Sequence, residues 1–136
     1  MPTKILAIDD DPAMTELLTL LLKPQGFDVR TANTGEEGMA VIRSDQPDVV
    51  ILDLMMPGMD GWQVCAEVRK FSKVPILVLS ALDSPGMVAS ALDAGADDYL
   101  IKPVPSGVLI AHLNNLARRA SLEKNGVKVQ ASLLSG

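Results

Sequence analysis

A chain of 136 residues, 48% hydrophobic and only 3% aromatic, has the length of one domain and can bury a single aliphatic core. Its formal charge of −5 and its few aromatic rings supply neither the basic patch nor the stacking surface that nucleic acid requires, so direct nucleic-acid binding is not expected. Cys65 is the one cysteine, which excludes an internal disulfide and a metal–thiolate cluster; among Val64, Val68 and Phe71 it reads as a buried core thiol.

In chain order, apolar runs and helical patterns alternate five times. Ile5 to Ile8 predicts a strand, and Asp9-Asp10-Asp11 interrupts this run too early for a secretory leader. Pro12 to Lys23 predicts a helix, with Asp11 as its cap and Met14, Leu17, Leu18, Leu21 and Leu22 on one face. Pro24-Gln25-Gly26 stops it. Phe27 to Ala32 is a polar-alternating strand, expected near a sheet edge. Thr34-Gly35-Glu36-Glu37 has the pattern of a capping box and opens a helix to about Ser44. Val49 to Asp53 predicts a strand buried on both faces. Asp60 caps a helix through about Phe71. Pro75 to Ser80 is the fourth strand, Ser84 to Ala94 the fourth helix, Tyr99 to Ile101 the fifth strand and Pro105 to Arg119 the fifth helix.

This alternation predicts an α/β fold with parallel strands, right-handed crossovers and helices on both faces. Five such units fit a flavodoxin-like, doubly wound sheet of order 2-1-3-4-5 with five helices. Residues 1–120 are expected to form the domain. Residues 121–136 carry a turn signal at Glu123-Lys124-Asn125-Gly126 and read as a C-terminal tail or linker stub. No apolar run reaches membrane-spanning length, and a cytoplasmic protein is expected.

Ligands of such sheets bind beyond the carboxyl ends of the strands. Four of those ends carry Asp9-Asp10, Asp53, Ser80 and Lys102. Three carboxylates together repel one another at low dielectric, and a hard divalent cation resolves the repulsion. Mg2+ prefers a few carboxylates, a carbonyl and water, leaving room for phosphate oxygens. Lys102 adds a compact positive charge and Ser80 a hydroxyl donor. These are the parts of in-line phosphoryl transfer, with a carboxylate as nucleophile.

Asp9-Asp10, Asp53 followed by Leu-Met-Met-Pro-Gly-Met-Asp-Gly, Ser80-Ala81, and Tyr99-Leu-Ile-Lys102-Pro103 together resemble the receiver domain of two-component response regulators. The resemblance spans roughly residues 3–120 and rests on four motifs in order on the expected elements. It implies that Asp53 accepts a phosphoryl group from a histidine kinase or phosphotransfer protein. It further implies that Asp10, Asp53 and the Met55 backbone carbonyl ligate Mg2+, with Asp9 acting through water. Ser80, Lys102 and the Ala81 amide would bind phosphoryl oxygens, Tyr99 would turn inward behind Ser80, and the Lys102–Pro103 bond would be cis. The implied role is a switch that controls an output domain or downstream protein, not a conventional enzyme.

Two other classes compete with this reading. A Mg2+-dependent aspartyl-phosphate phosphohydrolase resembles it in chemistry, but such enzymes place an acidic residue two positions after the nucleophile, where this chain has Met55. A phosphorylation-independent interaction module would be expected to lose the acidic pair, Asp53 or Lys102, and all are present. Asp11 and Asp60 read as helix caps, and the solitary His112 as a helix-surface residue. Met55, Met56 and Met59 read as loop packing around Pro57-Gly58.

The chain departs from its relatives in two places. Receivers joined to winged-helix domains often dimerise through helix 4, strand 5 and helix 5 by interlocking salt bridges. Here Ser84 to Ala94 contains no Lys or Arg, Asp97 and Asp98 are expected to lack their usual partners, and Val88 and Val108 stand where charges often sit. A homodimer would therefore use an atypical, less charged face. The positions two after the phosphoacceptor and two after the hydroxyl residue are Met55 and Leu82, neither able to orient water, so slow autodephosphorylation is expected.

Overall fold

The structure, a computed structural model, describes residues 2–124. Five strands form one parallel sheet: β1 (Lys4–Ile8), β2 (Asp28–Ala32), β3 (Val49–Leu52), β4 (Ile76–Ser80) and β5 (Asp98–Ile101). Their spatial order is β2-β1-β3-β4-β5, the expected doubly wound arrangement. Five helices join or follow them: α1 (Pro12–Leu22), α2 (Gly35–Asp45), α3 (Gly61–Val68), α4 (Pro85–Ala94) and α5 (Ser106–Lys124).

The period-two alternation of each strand divides the core into two layers. Leu6, Ile8, Val50, Leu52, Ile76 and Val78 face one way and pack with Ile42 of α2, Val64, Cys65 and Val68 of α3, and Ala91 of α4. Ile5, Ala7, Val49, Ile51, Leu77 and Leu79 face the other way and meet Leu18 and Leu22 of α1 with Leu109, Leu113 and Leu116 of α5. Central β1, β3 and β4 are buried on both faces, which is why they read as continuous apolar runs. Edge strand β2 is only partly buried, with Val29 and Ala32 inside and Asp28, Arg30 and Thr31 exposed. Cys65 is buried, and burial pushes its thiol up to about 11, as an inert core group.

Several local expectations shift. The Asp11 carboxylate caps α1 by accepting from the Ala13 amide at 3.0 Å. Thr34 caps α2 by accepting from the Glu37 amide, but the reciprocal capping box forms at Asp60 and Gln63 instead. A three-residue 3-10 turn, Lys23–Gln25, closes α1 before Gly26. Helix α5 runs to Lys124, beyond the expected end at Arg119, and its Leu109–Leu113–Leu116–Ala120 stripe buries one face as far as Ala120. The remaining tail residues, 125–136, lie outside the described residues. Among those described, no helix is long and apolar enough to cross a membrane.

Candidate functional site

Parallel strands in register bring distant residues to one edge. The Asp53 amide donates to the Ile8 carbonyl at 3.0 Å and the Asp9 amide to the Ala32 carbonyl at 3.1 Å, so both residues leave the sheet side by side. Carboxylate oxygens of Asp9, Asp10 and Asp53 lie within 4.8 Å of one another. Asp9 and Asp53 are buried, whereas Asp10 is exposed.

Lys102, beyond β5, reaches across this cluster. Its Nζ donates to Asp9 Oδ2 at 3.0 Å and stands 3.6 Å from Asp53 Oδ2. The second Asp9 oxygen accepts from the Asp11 amide at 3.0 Å. Asp9 thus spends both oxygens on protein donors, while the exposed Asp10 carboxylate faces solvent. The Lys102–Pro103 peptide is cis.

Ser80 ends β4 fully buried, and its Oγ accepts from the Leu82 amide at 3.3 Å. The Leu82 carbonyl accepts from the Tyr99 hydroxyl at 2.6 Å. Ser80, Leu82 and Tyr99 are therefore linked in series. Burial pushes the Tyr99 hydroxyl up, Ser80 works against this, and Asp53 and Asp83 add to it. Met55 projects outward and Met56 inward, so only part of the methionine group is core packing.

Gly61 fixes the loop that carries Asp53 into α3. A Cβ there would lie 2.5 Å from the Asp53 carbonyl oxygen and 2.6 Å from Leu54 Cα, both backbone atoms that cannot give way. Its amide donates to the Leu54 carbonyl at 3.0 Å.

Burial raises the Asp53 carboxyl above its ordinary value of 3.8; Lys102 opposes this and Asp9 reinforces it. A raised folded-state value means that the fold binds this proton more tightly than the unfolded chain does. Stability from this group is present below the ordinary value and is lost as pH rises through the raised one. Asp53→Asn is therefore expected to raise the melting temperature at pH 7 without divalent cations. The gain should vanish near pH 3. An Asn variant that melts lower at pH 7 would contradict this.

Sequence reasoning missed three side-chain contacts. Asp97 finds partners within its own chain: its Oδ2 accepts from Arg69 Nη2 at 2.8 Å, and Arg119 lies 3.7 Å from its other oxygen. Asp98 Oδ2 lies 2.5 Å from Nδ1 of His112, which stays partly exposed on the surface of α5 as expected. All three contacts join residues 14 or more apart in sequence, and no local pattern announces them. Met87, Leu92, Ile101 and Val108 remain exposed on α4, β5 and α5.

Residues 5–114 match the family described as the response regulator receiver domain. The chain is 42% identical over 123 residues to the transcriptional regulatory protein AfsQ1 of Streptomyces coelicolor, covering 90% of this chain and 54% of the relative. It is 46% identical over 122 residues to the response regulator MprA of Mycolicibacterium vanbaalenii, covering 89% and 53%. The DNA-binding response regulator MtrA of Mycolicibacterium smegmatis is 41% identical over 119 residues, covering 88% and 52%. The chain thus spans about half the length of these curated relatives. Among solved structures, the BeF3-activated N-terminal receiver domain of Klebsiella pneumoniae RstA matches with a TM-score of 0.82 at 36% identity, covering 85% of this chain and 99% of that one. The receiver domain of the Francisella response regulator 1452 matches with a TM-score of 0.82 at 35% identity, covering 86% and 98%.

Proposed function

We propose that Asp53 is the phosphoacceptor of this chain, which belongs to the response regulator receiver domain family of two-component systems. The observation that carries the proposal is the placement of Lys102 Nζ between Asp9 and Asp53, 3.0 and 3.6 Å away, beside a three-carboxylate cluster. A carboxylate oxygen of Asp53 attacks the phosphorus of a phosphohistidine on a histidine kinase or phosphotransfer protein. The P–N bond breaks, its electron pair passes to the imidazole, and an acyl phosphate forms.

The donor set of carboxylates fits Mg2+, which Asp10, Asp53 and the Met55 carbonyl would hold directly and Asp9 through water. When bound, Mg2+ supplies charge neutralisation for the phosphoryl oxygens. Lys102 binds one phosphoryl oxygen as a point charge, and the Ala81 amide assists. Ser80 accepts from Leu82, and its own hydroxyl, which already acts on the Asp53 carboxylate, would donate to the phosphoryl group. That bond draws the Ser80–Leu82 segment toward Asp53, and Tyr99 follows through the Leu82 carbonyl. Helix α4, whose one buried residue is Ala91, is the weakly anchored element such a movement shifts.

The readout is the α4-β5-α5 surface, which controls an output domain or downstream protein. Its exposed apolar residues, with Asp98 already bound to His112, favour a second copy held by apolar contact in place of a salt-bridge ladder. The phosphohistidine donor, made from a nucleoside triphosphate, sets this work in the cytoplasm.

Met55 and Leu82 flank the phosphoryl position and cannot orient water, so the aspartyl phosphate should be slow to hydrolyse. After loading from acetyl phosphate and removal of donor, intact mass spectrometry should show the adduct persisting for many minutes. Loss within seconds without a phosphatase would refute slow turnover. Sedimentation of the same loaded sample should show dimer, and a monomer at all concentrations would refute the apolar face as a homodimer contact.

A further inference from the structure

The Asp9 carbonyl belongs to the peptide that joins the two acidic residues following β1, and it lies one residue past the end of that strand. No strand partner meets it. The Asn33 side chain does so instead: Nδ2 donates to the Asp9 carbonyl oxygen at 2.8 Å. The same nitrogen donates to Thr15 Oγ1 at 3.2 Å. Thr15 is buried and gives its own hydroxyl proton to the Pro12 carbonyl at 3.1 Å. Both protons of the Asn33 amide are thus used, and a carbonyl acceptor leaves no freedom over which end of the amide faces Asp9.

This brace joins the end of β1, the first turns of α1 and the loop after β2. It fixes the plane of the Asp9–Asp10 peptide, and with it the direction in which the Asp10 carboxylate leaves the backbone. Nothing else among the bonds of the described residues holds that carbonyl.

We propose that Asn33, seated on Thr15, is a positioning residue for the divalent-cation site, acting through the Asp9–Asp10 peptide plane. The proposal rests on the reading of Asp10 and Asp53 as cation ligands. Asn33 touches neither the cation nor the phosphoryl group, and its effect is on cation affinity. Outer partners that orient ligands in this way typically change metal affinity by roughly 10- to 100-fold when removed.

The test is Mn2+ binding to the full chain, read from the electron paramagnetic resonance signal of the free ion, without any phosphodonor. Asn33→Asp replaces two donors with acceptors that face a carbonyl and a hydroxyl, and Asn33→Ala removes the donors with less perturbation. Both should weaken Mn2+ binding by roughly tenfold or more, the Asp variant further. Thr15→Val should weaken it less, because Asn33 keeps its bond to Asp9. Thermal melting without cations should stay close to that of the parent for Asn33→Ala. Unchanged Mn2+ affinity in Asn33→Ala would overturn the proposal. So would a loss of affinity that only tracks a large fall in melting temperature, which marks a merely structural brace. A parent protein that does not bind Mn2+ would overturn the site reading itself, and the proposal with it.

Discussion

Lys102→Ala is expected to slow phosphorylation of Asp53 about a hundredfold, the usual cost of removing one preorganised electrostatic partner from a reacting centre. Its Nζ is the one side-chain cation that the ion pairs of the described residues place at the cluster, 3.0 Å from Asp9 and 3.6 Å from Asp53. Two further effects have opposite signs. Lys102 holds the Asp53 carboxyl down against burial, so its removal raises that carboxyl further. The acidic limb of the rate profile should therefore move to higher pH, since only the ionised carboxylate attacks. Mg2+ should bind more tightly, because a competing cation has left three carboxylates that repel one another. A slower reaction with tighter cation binding separates loss of phosphoryl stabilisation from collapse of the site. Initial rates from acetyl phosphate across pH, with a Mg2+ titration, read both. A rate within twofold of the parent would remove Lys102 from the mechanism.

Arg69→Ala is expected to be the most damaging single change outside the core, costing about 2–3 kcal/mol and lowering the melting temperature by roughly 7–10 °C. Arg69 follows α3, and its guanidinium satisfies four acceptors at once. Nε and Nη2 donate to the Gly95 carbonyl at 3.1 and 2.8 Å. Nη1 donates to the Ser72 and Val74 carbonyls at 3.3 and 2.8 Å. Nη2 also donates to Asp97 Oδ2 at 2.8 Å, and that oxygen accepts from the Ile76 amide at 2.8 Å. One side chain therefore ties the α3–β4 loop, the end of α4 and the entries to β4 and β5. About a quarter of each partner stays exposed, which keeps the estimate below that for a fully buried pair. Lys cannot reproduce the planar fork, so Arg69→Lys should recover less than half of the loss. Gly95 is part of the same arrangement: its φ is +122° and a Cβ would meet Arg69 Cγ at 2.7 Å. Thermal melts of the three proteins decide the matter. An Arg69→Ala protein that melts within 2 °C of the parent, against about 7 °C expected, would show that solvent replaces the network.

The sheet and the chemical residues were legible in the sequence because they follow from short-range rules. Buried strands β1, β3 and β4 announce themselves as apolar runs, and parallel alternation sends their carboxyl ends to one edge. Asp9, Asp10, Asp53, Ser80 and Lys102 could thus be grouped without knowing a single distance. What stayed illegible depends on which loops meet. Arg69 finds Asp97 and Gly95 only because α3 and α4 end beside each other at the opposite edge of the sheet. Asn33 finds Asp9 across 24 residues because β2 pairs with β1 in one register. His112 reaches Asp98 from a helix whose rotation the Leu109–Leu113–Leu116 stripe sets. The turn signal Glu123-Lys124-Asn125-Gly126 begins inside the last turn of α5, which ends at Lys124, and its last two residues lie outside the described ones.

The most direct measurement is intact-mass spectrometry of the chain after incubation with acetyl phosphate and Mg2+, beside Asp53→Ala. One phosphoryl group on the parent, absent from Asp53→Ala and absent without Mg2+, is the predicted result. An adduct of equal extent on Asp53→Ala would contradict the assignment of Asp53 as the phosphoacceptor.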